Sequence, residues 1–112
     1  MFDHFLEAQN PVYPNVLDEL RSGYKRSHWM WFIFPQLKGL GSSDKSIRYA
    51  ISDDVEAKAY WEHPILGKRL KECFDLVETN DKSLDEIFGP TDILKYRSCW
   101  NLFSQFIDKK SN

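Results

Sequence analysis

The run at residues 29–34, Trp-Met-Trp-Phe-Ile-Phe, constrains this chain more than any other segment, because it has no polar side to turn towards water. Such a run is typical of a strand or a two-turn helix that is buried all round. Its β-propensity favours a strand, whereas Ser27 is a suitable helix N-cap and Pro35 would end a helix. A lone strand among helical neighbours would leave its backbone groups unpaired, so we predict a helix.

The other segments also favour helices. Ser83 and Glu86 match a capping box, and Gly89 and Pro90 close the short helix that this box begins. Asp53 or Asp54 is placed to cap the helix at residues 55–62. We predict helices at residues 3–8, 14–22, 44–50, 55–62, 65–78 and 91–107. The expected fold is therefore all-α, a compact single-domain bundle of about six to seven short helices spanning residues 1–112.

Two of these helices have a clear apolar face. In the second, Val16, Leu17 and Leu20 recur at helical spacing, and Asp18, Glu19 and Arg21 are expected to face elsewhere. In the helix at 65–78 the apolar stripe consists of Leu66, Leu70, Cys73, Phe74 and Val77. His63 precedes Pro64 at a helix entry, where it is expected to cap or plug the junction between two helices.

Composition narrows the function. The 15 basic residues are balanced by 17 acidic ones, for a net charge of −2, which disfavours duplex nucleic acid as a partner. No apolar run approaches the roughly 20 residues that span a bilayer, and no signal segment opens the chain. Cys73 and Cys99 are expected to be reduced thiols. These features predict a cytoplasmic protein without a membrane partner.

The most informative candidate site lies at residues 25–31. Lys25, Arg26 and His28 precede the aromatic run, and a helix N-terminus capped by Ser27 would add free amides and a positive dipole end. This arrangement suits a phosphate or a carboxylate, and Trp29 or Trp31 would provide a stacking surface. The alternative is that the tryptophans belong to the core and the basic residues are merely exposed.

The final helix offers a second candidate. Lys95, Ser98 and Leu102 fall on one line of the helix, with Cys99 beside them. A lysine one turn from a serine and a cysteine would bind an anion or lower the pKa of the thiol. The alternative is a solvated helix face.

No metal or cofactor site is predicted. The histidines (His4, His28 and His63) are scattered, and Cys73 lies far from Cys99. Residues 39–41, Gly-Leu-Gly, are too short for a dinucleotide fingerprint.

The chain resembles the DUF1810 family, some of whose members carry the label calpastatin. The central motif is Arg-Ser-His-Trp-Met-Trp-Phe-Ile-Phe-Pro-Gln-Leu at residues 26–37, and further matches follow in order along nearly the whole chain. They lie at residues 39–41, 43, 48–51, 56–57, 59–60, 63–67, 69–70, 87–89, 92, 95, 98 and 102–103.

The resemblance implies a mainly α-helical fold and no settled activity, and some relatives occur beside domains that handle ADP-ribose or related nucleotides. Relatives usually have Ser-Ser-Met-Thr-Leu-Phe where this chain has Ser-Cys-Trp-Asn-Leu-Phe at 98–103, and they tend to continue into a further helical segment. The family motifs keep polar residues among aromatic ones, which favours a polar and aromatic pocket. Those polar residues are Arg26, His28, Gln36, Ser43, Lys95 and Ser98.

Two functions follow as hypotheses. The first is a pocket for an anionic, nucleotide-like small molecule, bound either for sequestration or for hydrolysis or transfer, with His28 as the acid/base candidate. Lys25, Arg26 and Lys95 would neutralise charge, Trp29 or Trp31 would stack, and His28, Gln36 and Ser43 would orient polar groups. Ser98 is a further ligand-binding candidate. The second is a protein-interaction module with an exposed aromatic patch for a partner or a homo-oligomer, since 4 tryptophans and 8 phenylalanines are many for one core. A third hypothesis, binding of single-stranded nucleic acid, has less support, because the acidic residues spread along the chain would repel a strand.

Overall fold

The computed structural model describes residues 2–107, and within this range the chain forms seven α-helices and no β-strand, which confirms the all-α prediction. A single 3-10 turn, Ser104–Phe106, follows the last helix. The helices are α1 (Asp3–Gln9), α2 (Tyr13–Ser22), α3 (Met30–Ile33), α4 (Asp44–Arg48), α5 (Asp54–Glu62), α6 (Leu66–Glu78) and α7 (Leu84–Phe103).

The predicted caps of α5 and α7 are confirmed. Asp53 accepts a hydrogen bond from the Glu56 amide at 2.9 Å, and Ser83 forms the expected capping box with Glu86. The N-cap residue of α6 is Ile65, and the Nδ1 of His63 closes the junction between α5 and α6 as expected, by accepting hydrogen bonds from the amides of Ile65 and Leu66, both at 3.1 Å. Local side-chain chemistry therefore defines where these helices begin.

α7 contains the predicted break without ending there. Gly89 is non-helical, with φ 81° and ψ 175°, a conformation that an L side chain rarely adopts. Pro90 then begins the second helical stretch, in the position where a missing N–H does no harm. The predicted extension of this helix to residue 107 is wrong, since α7 ends at Phe103.

The aromatic run is helical for only one turn, α3, and not for two. Trp29 occupies its N-cap position, so the predicted capping role of Ser27 is wrong. The Gln9 amide stabilises the turn from outside, because its Nε2 donates to the carbonyl of Phe32 at 2.7 Å. After Phe34 the chain is extended, and residues 36–38 pair with Ile51 through two backbone hydrogen bonds of 2.8 Å each.

The core is built around the end of this run. Phe34 is fully buried, and its ring lies 5.1 to 5.8 Å from those of Phe74, Phe88 and Tyr96. The apolar stripe predicted for α6 is buried, as expected. α5 and α6 approach closely at Gly67, where an added Cβ would lie 2.0 Å from the carbonyl oxygen of Trp61.

None of the helices described between residues 2 and 107 has the length and apolar character needed to cross a membrane.

Candidate functional site

A cleft of about 210 Å³ lies where residues 25–32 meet α4 and α7. It has an excess of positive charge, because three lysines face one carboxylate in its lining. Two ring side chains of the lining reach solvent: the indole of Trp31, which is half-buried, and the imidazole of His28, which is exposed. The charged lining residues are Lys25, Lys45, Asp92 and Lys95.

Asp92 joins the two sides of the cleft. Its Oδ2 lies 2.7 Å from Nζ of Lys25, and its Oδ1 lies 3.1 Å from Nζ of Lys95. Burial alone would raise the pKa of Asp92, but the hydrogen bonds and charges of the two lysines outweigh it and hold that pKa below its usual range. The segment before α3 is thereby attached to α7 by a three-residue ion network.

The three lysines differ in how free they are to bind a ligand. The ammonium of Lys25 also donates to the carbonyl of Ser27 at 2.5 Å, and its side chain is only 7% exposed. Lys95 is bound to Asp92 alone among the described residues and lies 5.0 Å from the centre of the Trp31 ring. Lys45 is exposed and has no ion pair with residues 2–107. Lys95 and Lys45 therefore have N–H donors available for a ligand, whereas Lys25 holds the segment before α3 in place through its bonds to Ser27 and Asp92.

Glu19 organises the loop before the cleft. It is buried, and its carboxylate accepts hydrogen bonds from the amide of Arg26 (2.8 Å), the amide and hydroxyl of Ser27 (3.0 and 2.7 Å) and the indole N–H of Trp29 (3.1 Å). Burial alone would raise the pKa of Glu19, but these donors lower it to about 2. The prediction that Glu19 faces away from the core is wrong.

This carboxylate corrects the predicted anion site. The amides of Arg26 and Ser27, expected to be free for a phosphate, already donate to Glu19. α3 has only four residues and Ser27 is not its cap, so no dipole end is presented there. The carboxylate of Glu19 therefore occupies the position predicted for a bound anion. The positive cleft lies on the α7 side of the same loop.

The two tryptophans of the motif have different environments. Trp29 is 2% exposed and bonded to Glu19, so its ring belongs to the core and is not available for stacking. Trp31 is half-buried and lines the cleft beside Lys95. An added Cβ at Gly41 would lie 3.1 Å from the Trp31 ring, so the loop before α4 packs closely against the edge of that indole.

Four predicted ligand residues lie outside the cleft lining, namely Arg26, Gln36, Ser43 and Ser98. Arg26 is exposed, and its guanidinium donates to the carbonyl of Tyr24 at 3.4 Å. Ser43 is the N-cap of α4 and accepts from the Ser46 amide, which is a structural role. Ser98 lines a separate shallow pocket with Asn101 and Asp54, among others.

Gln36 is buried. Its Nε2 has no hydrogen-bond partner among the described residues.

The predicted line of residues on the last helix does not form a polar face. Cys99 is fully buried and Leu102 is 5% exposed, so only Lys95 of this line reaches the cleft. Burial raises the pKa of the Cys99 thiol well above its usual value, the opposite of activation by a lysine. Burial likewise raises the pKa of Cys73, to about 12. Neither cysteine is disulfide-bonded.

The sequence analysis missed Asp92, Lys45 and Glu19. Asp92 precedes Lys95 by three residues, the spacing of side-chain pairs on a helix, and this was an available signal. Glu19 follows Val16 by three residues and so shares its buried face. In residues 2–107 no three His, Cys, Asp or Glu side chains are grouped so as to hold a metal ion.

Comparison with known proteins identifies the family of this chain. A family model described as "Protein of unknown function (DUF1810)" matches residues 1–112. The structure is similar to the 1.38 Å crystal structure of a conserved hypothetical protein from Mycobacterium tuberculosis, with 51% sequence identity and a TM-score of 0.93. That match covers 98% of this chain and 79% of the other. No curated protein matches the sequence.

Proposed function

Because this chain belongs to the DUF1810 family, whose description assigns no activity, we propose its function from the cleft: it binds a small anionic molecule, of the nucleotide or ADP-ribose type. The observation that supports this proposal is the excess of positive charge around a half-buried indole in a concave site. Concave sites with an aromatic wall and a few polar groups are typical of small-molecule binding.

The charged group of the ligand is assigned to Lys95 and Lys45. Both have N–H donors not used by residues 2–107, and both line the cleft. Lys25 and Asp92 act as the fixed frame, since each is held by partners on the protein itself. Trp31, whose ring lies 5.0 Å from the Lys95 ammonium, would contact the base or sugar next to the bound phosphate.

The size of the cleft limits how the ligand sits. Its volume of about 210 Å³ is below the roughly 300 Å³ at which pockets for whole drug-sized ligands begin. A nucleotide would therefore place its phosphate end among the lysines and leave part of its base at the mouth. Inorganic phosphate alone should bind more weakly, because it would not contact the indole.

Binding, rather than turnover, is the core of the proposal. If the bound molecule is hydrolysed or transferred, exposed His28 at the cleft is the candidate acid or base, since an imidazole ring can both donate and accept a proton. Replacement of His28 by alanine should then abolish turnover and leave binding within about threefold, a change of less than 1 kcal/mol.

A thermal-shift screen with nucleotides and ADP-ribose tests the proposal. A ligand at 100 times its Kd should stabilise the protein by about 2.7 kcal/mol. The shift should shrink in Lys95→Gln and in Lys45→Gln, and stay in Lys38→Gln, a control because Lys38 is exposed and outside the cleft lining. If the folded protein shifts with no compound in the panel, or if all three variants shift alike, the assignment of this cleft is wrong.

The interaction-module hypothesis remains a separate prediction. Within residues 2–107 no tryptophan or phenylalanine is fully exposed, and the most exposed large apolar side chains are Val55, Ile47 and Leu94. These exposed aliphatic residues are the candidates for the contact surface of a homo-oligomer, which analytical ultracentrifugation would detect. A cytoplasmic location is also proposed, because Cys73 and Cys99 are buried free thiols, as is usual in reducing compartments.

A further inference from the structure

A second and larger cavity, of about 750 Å³, lies between the end of α5, α6 and the end of α7. It shares no lining residue with the positive cleft. We call it the aromatic groove, and it is defined by four rings and three charged side chains. Its rings are Trp61, Phe74, Trp100 and Phe106, and its charged residues are Lys71, Asp75 and Glu78.

The rings stand at different angles to one another. Trp100 meets Phe74 edge to face, with centroids 4.9 Å apart and an interplanar angle of 76°. Trp61 lies 6.3 Å from Phe74 at 38° and 6.3 Å from Phe106 at 33°. Both tryptophans are half-buried, so each is held by packing and still reaches solvent. The four rings line one concavity, and the face of Trp61 is reached there by the ammonium of Lys71.

A cation already occupies part of this groove. The ammonium of Lys71 lies 4.7 Å from the centre of the Trp61 ring, within the range of a cation–π contact. Its contact with the Trp61 carbonyl oxygen is long, at 3.5 Å, so the ring face accounts for its position better than that hydrogen bond does. The protein thus shows on its own side chain that this indole face attracts an ammonium.

The fixed charges of the groove favour a further cation. Asp75 and Glu78 follow Lys71 by four and seven residues on α6, which places all three on one helix face. Asp75 is exposed and has no ion pair with residues 2–107, and Glu78 accepts a hydrogen bond from the hydroxyl of Tyr96 at 2.7 Å. Among the lining residues that the structure describes, two carboxylates against one lysine give a net negative charge, the opposite sign to the first cleft.

We propose that the aromatic groove binds a small organic cation with a methylated ammonium head group, such as a choline-type molecule. Methylation spreads the positive charge over an apolar surface, and such groups are recognised by aromatic cages. Trp61 and Trp100 contact the head group, and Asp75 and Glu78 supply the long-range attraction. The ligand displaces the Lys71 ammonium from the face of Trp61.

A titration of ¹⁵N-labelled full-length protein with choline tests this proposal. The indole N–H signals of Trp61 and Trp100 should move, and that of Trp29, whose N–H is bonded to Glu19, should stay. The neutral isostere 3,3-dimethyl-1-butanol has the shape of choline without the charge, and it should bind at least about fivefold more weakly if cation–π attraction is at work. Equal binding of the two compounds, or no movement of either groove indole with choline, overturns the proposal.

Two exposed substitutions give effects of opposite sign. Lys71→Gln removes the competing cation and should tighten choline binding by about threefold or more, whereas Asp75→Asn should weaken it about twofold to fivefold. Asp85→Asn is the matched control, since Asp85 is exposed and lies outside the groove lining. Unchanged affinity in Lys71→Gln, or an equal loss in the two aspartate variants, contradicts a cation site in this groove.

Discussion

Replacing Glu19 by glutamine removes the charge that holds together the loop before the positive cleft, with almost no change of shape. The glutamine carbonyl can still accept from the amides of Arg26 and Ser27 and from the indole of Trp29, which all donate to the same oxygen, Oε1. The hydroxyl of Ser27 can rotate and accept from the new amide group. The difference between the two proteins is therefore mainly electrostatic.

The magnitude follows from the pKa. The donors around Glu19 outweigh burial and lower its pKa from an ordinary 4.5 to about 2. Since each pKa unit corresponds to about 1.4 kcal/mol, the charged carboxylate adds on the order of 3 kcal/mol to the free energy of unfolding near neutral pH. Because the folded-state pKa is the lower one, this stability is complete above about pH 5 and is lost as the pH falls towards 2.

Urea unfolding of the wild type and of Glu19→Gln, followed by circular dichroism between pH 7 and pH 3, measures this directly. We expect the variant to be less stable by about 2 to 3 kcal/mol at pH 7, and the gap to narrow steadily below pH 5. Glu7→Gln, which changes an exposed carboxylate on α1, should show no such gap. A penalty that is the same at pH 7 and pH 3 would show that the charge of Glu19 does not stabilise the loop.

Three further predictions concern single positions. Gly67→Ala should destabilise the protein by about 1 to 3 kcal/mol in urea unfolding although alanine favours helices, because the new Cβ would meet the Trp61 carbonyl oxygen at 2.0 Å; a stabilised variant would contradict the close approach of α5 and α6. Asp92→Asn should lower the melting temperature, because it breaks the ion pairs with Lys25 and Lys95. It should also tighten binding of an anionic nucleotide in calorimetry, because it removes a repelling charge and releases the Lys95 ammonium; weaker binding would mean that the frame held by Asp92 is needed for the site. Cys73 and Cys99 should resist Ellman's reagent in native protein at pH 8 and react in urea, because burial raises both thiol pKa values; rapid reaction of the native protein would rule this out.

The helices were predictable from the sequence where residues close to the helix end determine its position. Three features depend on residues within a few positions of each other: the capping box of Ser83 and Glu86, the hydrogen bonds of His63 at the start of α6, and the break at Gly89. The aromatic run was harder, because a segment that is apolar on every side has no period to indicate where a helix stops. Its single turn is stabilised by Gln9, which is distant in sequence from the Phe32 carbonyl it binds.

The candidate site was predictable only as a composition of lysines, a histidine and a tryptophan. Lys25, His28, Trp31 and Lys95 were expected to form one site, and the structure brings them to one cleft. The pairing of Asp92 with Lys95 could be predicted from their spacing of three residues on one helix. The pairing of Asp92 with Lys25, and that of Glu19 with the loop before α3, could not, because these groups come together only on folding. Those pairings decide which amides and which ammonium groups remain free.

The central claim is that an anionic nucleotide binds beside Trp31 and Lys95. A titration of ¹⁵N-labelled protein with ADP-ribose tests it most directly, because the indole of Trp31 lies in the positive cleft and those of Trp61 and Trp100 lie in the aromatic groove. The account predicts that the Trp31 signal moves in a saturable way, that the signals of Trp61 and Trp100 stay, and that Lys95→Gln weakens binding about tenfold, or about 1.4 kcal/mol. A Trp31 signal that stays fixed at millimolar ADP-ribose, AMP and phosphate alike would contradict it.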